Sequence, residues 1–226
     1  MITGLLCLLI TISLYCLCKK GYRRRPRIYL SPLLVTPVVL VIGLLVTHIP
    51  YETYNNGGQW LNHLLQPATI AFAIPLFKYY QVLKKHVVVI LISVLSGSLM
   101  AMFSSALLAQ SMHLDTALVN SLVPRSVTTP IAMSVSQVIG GVPNMTAVFV
   151  IITGLLGTMI GPLIVKWFHI DNEVARGVLL GTGAHGTGTS KAFEFSSLTG
   201  TISSISMIIA ALFTLGAAPF IISWLF

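Results

Sequence analysis

The sequence predicts an all-α, polytopic membrane protein of about seven to eight spans, with two broken or re-entrant helices meeting near the bilayer midplane. Three observations predict it. The 226 residues are 55% hydrophobic and only 8% charged, against roughly 25% charged in a soluble domain. Residues 1–18, 33–49, 87–109, 145–165 and 202–226 are apolar runs close to the ~20 residues that cross a bilayer core as helix. After Asp115 that pattern is interrupted twice by proline, glycine and polar residues. Lipid requires every backbone group to be satisfied within the protein, so spans are helices or closed barrels. The ~10-residue alternation of a membrane barrel is missing.

The first run, MITGLLCLLITISLYCLC, has no basic residue before it and no small-residue cleavage site, so it reads as a retained span with its N-terminus outside. Cys7, Cys16 and Cys18 all lie in it and read as small apolar residues, neither disulfide nor metal site. It leaves at the basic loop KKGYRRRPR (19–27). The second run returns outward to the polar loop PYETYNNGGQW (50–60). LNHLLQPATIAFAIPLF (61–77), mildly interrupted by Pro67 and Pro75, goes inward to KYYQVLKKH, and 87–109 goes out to QSMHLD (110–115). Nine of the thirteen basic residues fall in the two inner clusters and none in the two outer loops, as the positive-inside bias requires. Basic clusters between apolar spans are cytoplasmic loops touching anionic lipid, and nucleic acid is not an expected partner. No linker or soluble domain interrupts the chain, so 1–226 reads as one integral membrane domain in the cell membrane.

Beyond Asp115, ALVNSLV (117–123) is half a helix, cut by PRSVTTP (124–130) and followed by IAMSVSQVIGG (131–141). Pro124 and Pro130 each remove a backbone donor and disfavour helix just before them. A full span (145–165), a polar loop (166–177) and a second short helical run (178–181) come next. The chain then breaks again in GTGAHGTGTSKAFE (181–194), where four glycines and three threonines gather.

Unwound backbone survives in hydrocarbon only where protein or a watery cavity surrounds it. Two such breaks point to a transporter site, because half-helix ends carry partial charge and free polar groups. Candidate substrate-binding residues are Arg125, Ser126, Thr128, Thr129 and Pro130 from the first break. The second supplies Gly183, His185, Gly186, Gly188, Thr189 and Lys191. Arg125 offers a planar fork suited to a carboxylate. His185 titrates near neutral pH, which makes it and Glu194 the candidates for ion or proton coupling. Each has a structural alternative: Arg125 as a brace on a carbonyl, Lys191 and Glu194 as a helix-face pair three residues apart, His185 as a packed side chain, the glycines as close-packing positions. His48, His63, His86, His113 and His169 lie near span ends and read as interfacial. Asp171 and Glu173 read as first-turn acids.

The chain resembles the LrgB/CidB family of antiholin-like membrane proteins. The family segment SLLPKSVTTPIAMEVSxxxGGIPxLTAVFVIxTGxLGxxxG is matched by SLVPRSVTTPIAMSVSQVIGGVPNMTAVFVIITGLLGTMIG (121–161). A second hallmark, GTASHAxGTAKAxE, is matched by GTGAHGTGTSKAFE, and LLQPATIAFAIPLFK (64–78) fits as well. Arg125 stands where Lys is commoner, and Ser134 and Gln137 stand where acids are frequent. Ala184 replaces a serine, and Gly183, Gly186 and Thr187 replace larger apolar residues. The resemblance implies two functions. One is transport of small monocarboxylates such as pyruvate, glycolate or glycerate. The other is regulation of holin-like pores, murein hydrolase activity and autolysis. Either implies a small LrgA/CidA-type membrane partner, and a homo-oligomer is expected. The residues favour the transporter, since a lysis regulator needs no buried Arg, Lys and His around two unwound helices. Enzymatic catalysis is not expected, because Ser190 and Lys191 are adjacent and point apart on a helix. No metal or organic cofactor is expected either.

Overall fold

A computed structural model describes residues 2–24, 30–71 and 73–225, which form ten helices. The chain divides into two compact units, 1–73 and 74–226.

In the first unit, α1 (Ile2–Arg24) runs on through Lys19 and Lys20, so part of the expected basic loop is helical. Arg25 and Arg27 lie outside the described residues. The short apolar α2 (Pro32–Thr47) starts with a proline, whose missing N–H costs nothing there. The expected polar loop 50–60 is instead the first half of α3 (Tyr51–Ala71). The reason is tertiary: a Cβ at Gly57 would overlap the Gly4 carbonyl, and one at Gly4 would stand 3.1 Å from the Gly57 nitrogen. The two backbones cross in direct contact, and Thr11 Oγ1 lies 3.3 Å from Tyr54 OH one face further along.

The second unit begins within the short α4 (Ala73–Lys78) and continues with α5 (Tyr80–Ser111). α6 (Thr116–Leu122) starts at Asp115, whose carboxylate accepts from the Ala117 N–H at 3.2 Å, and it stops before Pro124. α7 (Thr129–Val138) begins with Pro130 in its first turn. The two form a helical hairpin. Asn120 Nδ2 donates to the Ile139 carbonyl at 2.6 Å, and the Val142 N–H donates to Ser121 Oγ at 2.7 Å. Gly140, at φ 78°, turns the chain into α8 (Pro143–Trp167). α8 runs antiparallel to α7, pinned by Thr146 Oγ1 donating to Ser136 Oγ at 2.7 Å.

α9 (Glu173–Phe195) is capped by Asn172, which accepts from Val174 and Ala175 at 2.8 and 3.1 Å. Its backbone leaves helical geometry only at Ala184 and His185 (φ 41°, ψ −130°). The break is therefore much shorter than the sequence suggests, yet it reverses the chain. On α10 (Ser197–Leu225), Gly177 meets Ile202 and Gly181 meets the Ser203 backbone on the way in. On the way out Gly186 meets Met207, Thr189 bonds Ser203 at 2.9 Å and Phe193 meets Gly200. A Cβ at Gly188 would strike the Leu180 carbonyl. α9 is thus a second helical hairpin, its arms packed through glycine.

α5 and α10 run parallel: Leu83 and Ile90 lie by Ile205 and Ile209, and Phe103 stacks edge-on with Trp224 at 5.8 Å. Four helices are long and apolar enough to cross a membrane (Gly4–Arg24, Tyr80–Ser111, Pro143–Trp167 and Ser197–Trp224), with Pro32–Thr47 shorter.

Candidate functional site

The order α6–α7 hairpin, α8, α9 hairpin, α10 is a unit repeated with reversed direction. The first hairpin has its base at the N-terminal end of α8, and the second has its base at the C-terminal end. The tips consequently approach α8 from opposite ends. Val127, in the first tip, packs with Val150 of α8 and Ala211 of α10. His185, in the second, brings its Nε2 to 3.1 Å from the Val150 carbonyl. Gly154, one turn on, has no side chain to hold the second tip off: a Cβ there would stand 2.6 Å from Thr187 Oγ1 and 2.8 Å from His185 Nε2. On α10 the tips touch Ala211 and Met207, again one turn apart.

The structure places the expected site residues as follows. Arg125 sits in the first tip, half-buried, with Nη1 donating to the Ala101 carbonyl of α5 at 3.1 Å. Neither of the two ion pairs among the described residues involves it. Ser126, Thr128 and Thr129 lie beside it, partly buried, and Thr128 caps α7 without a side-chain bond. Pro130 is exposed. His185 is buried at 7% exposure and held in a left-handed backbone conformation that non-glycine residues rarely adopt. Gly183 is exposed and Gly186 half-buried beside it, while Gly188 and Thr189 are buried against the other arm and α10. Lys191 and Glu194 pair at 2.5 Å on the outer arm, two turns from the tip. The tips therefore bring Val127 and His185 to neighbouring turns of α8 and α10, whereas the one side-chain bond of Arg125 is to α5, and Lys191 and Glu194 lie toward the hairpin base.

Sequence reasoning missed Val150 and Gly154, the points where the tips converge, because an apolar residue and a glycine inside a long span carry no local signal. It also missed a role for three histidines. His48, His113 and His169 each adopt positive φ one or two residues beyond a helix, where histidine is among the residues that tolerate the left-handed region.

The model of the LrgB-like family matches residues 11–224. The chain belongs to this family. It is 61% identical over 225 residues to the uncharacterized Bacillus subtilis (strain 168) protein YwbG, covering 100% of both chains. It is 40% identical over 223 residues to YxaC of the same organism, covering 99% of this chain and 96% of that one. It is 32% identical over 221 residues to the holin-like protein CidB of Staphylococcus aureus (strain N315), covering 98% and 96%. No solved structure matches. Four helices long and apolar enough to cross a bilayer make this LrgB-like chain a membrane protein, and its relative CidB carries the name holin-like protein.

Proposed function

We propose that this LrgB-like protein is a secondary transporter, or a transporter subunit, for a small monocarboxylate, working with a small LrgA/CidA-type membrane partner. One observation carries the reading: two oppositely directed hairpins put their tips against the same turn of α8, at Val150. Ala211 is the central residue of the 29-residue α10, so in a bilayer that level is near the midplane. Half-helices that end at mid-depth expose partial charges there, and inverted pairs of them are how carriers build a site reachable from either side. Arg125 supplies the charge. One of its five donors is used by a carbonyl, and a guanidinium in apolar surroundings is stable only with a counter-charge. A substrate carboxylate fits that need, with Ser126, Thr128 and Thr129 to bond its second oxygen, and His185 in the opposite tip to carry a coupled proton.

Charge orients the second unit. Lys84, Lys85, Lys166 and Arg176 fall at the end where the α9 hairpin is based, and the end where the α6–α7 hairpin is based has no Lys or Arg among the described residues. By the positive-inside bias the α9 hairpin enters from the cytoplasm and the α6–α7 hairpin from outside. Within the second unit this gives three crossings and two re-entrant hairpins.

The name of the relative CidB, a holin-like protein, favours a second reading, the regulator of holin-like pores, murein hydrolase activity and autolysis that the family resemblance implies. Reconstitution separates the two. Purified protein in liposomes, with and without the small partner, is assayed for counterflow of labelled pyruvate or glycolate and for leakage of a trapped dye. Saturable, selective counterflow is the outcome expected of a transporter; unselective leakage without counterflow would establish the holin-like reading instead.

A further inference from the structure

α5 carries Tyr80, Leu83, Lys84, Val87 and Ile90 at helical spacing, which puts them on one face. With Ile205 and Ile209, four positions apart on α10, they line an open groove of about 310 Å³ between the two helices. Leu83 and Ile90, at 8% and 2% exposure, belong to the core beneath it, while Val87 stays 44% exposed. The size falls within the range of ligand pockets, about 300–1,000 Å³.

The groove is graded in polarity along its length. Tyr80 and Lys84 line the end nearest the start of α5, both exposed, and the other lining residues are all apolar. From Tyr80 to Ile90 the helix rises about 15 Å at ~1.5 Å per residue, which is half of a ~30 Å hydrocarbon core. Neither of the two ion pairs among the described residues involves Lys84. Three acids lie at the same end of the unit. Asp171 is held by Arg176 and Glu194 by Lys191, and Glu173 sits in the first turn of α9, where the helix end favours it.

We infer that the groove between α5 and α10 binds an anionic phospholipid, its phosphate at Lys84 and Tyr80 and an acyl chain along Val87, Ile205 and Ile209. Each part of the groove matches one part of that ligand. The cation and the phenol suit a phosphate at the headgroup level, and the apolar length below them is that of one leaflet. A free anion would leave that length unfilled. A partner helix laid there would have to bring its own acid to Lys84, since a cation enclosed by apolar groups needs a counter-charge. The orientation argued above puts this end in the cytoplasmic leaflet, where anionic lipid gives the surface its negative potential. Binding itself requires no transported substrate, so the site stands or falls separately from carboxylate transport.

The test uses the full-length protein, stripped of lipid in a neutral detergent and without any carboxylate substrate. Thermal unfolding is followed against dioleoyl phosphatidylglycerol, dioleoyl phosphatidylcholine and glycerol 3-phosphate. A saturable rise in Tm is expected with phosphatidylglycerol, a weaker one with phosphatidylcholine, and none with the headgroup alone. Lys84→Gln should raise the half-saturating phosphatidylglycerol concentration about fivefold and leave phosphatidylcholine unchanged. Lys85→Gln removes the same charge outside the groove lining and should change neither. Val87→Trp fills the groove and should raise half-saturation for both lipids at least about tenfold, the loss of roughly two buried methylenes. Val88→Trp, 63% exposed in the wild type and outside the lining, should leave the response intact, which separates occlusion from misfolding. Equal effects of Lys84→Gln and Lys85→Gln would mean diffuse surface charge and overturn the site. So would a Val87→Trp protein that keeps its lipid response, and a change in its oligomeric state by light scattering would then assign the groove to a second copy.

Discussion

Gly154→Ala is the sharpest probe of the tip of the second hairpin. The added Cβ would stand 2.6 Å from Thr187 Oγ1 and 2.8 and 2.9 Å from the His185 ring. Ordinary contacts begin near 3.4 Å, so the tip must retreat by roughly 0.6–0.8 Å (3.4 less 2.8 and 3.4 less 2.6). Overpacking of this kind costs about 1–3 kcal/mol. Retreat also stretches the 3.1 Å contact of His185 Nε2 with the Val150 carbonyl, a bond worth about 0.5–1.5 kcal/mol. Replacing glycine by alanine within a helix returns up to about 1 kcal/mol. The balance is a loss of about 1–3 kcal/mol, or roughly 2–12 °C in Tm for a chain of this size. Gly216→Ala is the matched control, because a Cβ there meets nothing within 4 Å; it should leave Tm unchanged or raise it slightly. Thermal unfolding of the three purified proteins in one detergent decides the matter. If Gly154→Ala melts with Gly216→Ala, the hairpin tip does not rest on α8 at this turn, and the convergence of the two tips fails with it.

Two further outcomes bear on the proposed site. Arg125→Gln should abolish carboxylate counterflow while leaving Tm within a few degrees, since only one bond, to the Ala101 carbonyl, is lost; counterflow at the wild-type rate would remove Arg125 from the substrate. His185→Gln should flatten the pH dependence of transport between about pH 5 and 8, the range in which an imidazole changes charge. A retained pH profile would exclude it as the coupling group.

How much was legible differs from element to element. The long apolar helices α5, α8 and α10 are readable because lipid solvent enforces length and hydrophobicity on each segment independently. The first break is readable because Pro124 and Pro130 act on their own backbone neighbours. α3 shows the opposite case. YETYNNGGQW looks like a loop, and it is helical because Gly57 lies on the Gly4 backbone, a contact between residues more than fifty positions apart. The second break was legible as a place and not as a shape. Its many glycines suggested a long unwound stretch, whereas Gly177, Gly181 and Gly188 are helical and serve close packing.

By itself the sequence determined the solvent, the helical class, the membership of the LrgB-like family and the positions of both interruptions, because each of these is fixed by composition or by neighbours along the chain. Whether an interruption lets a helix continue across or sends it back was decided by tertiary packing, through Asn120 on Ile139, Gly188 on Leu180 and the opposed approach of both tips to Val150. Direction reversal is a relation between two arms, and the groups that stabilise it are small residues whose meaning appears only when the facing surface is known.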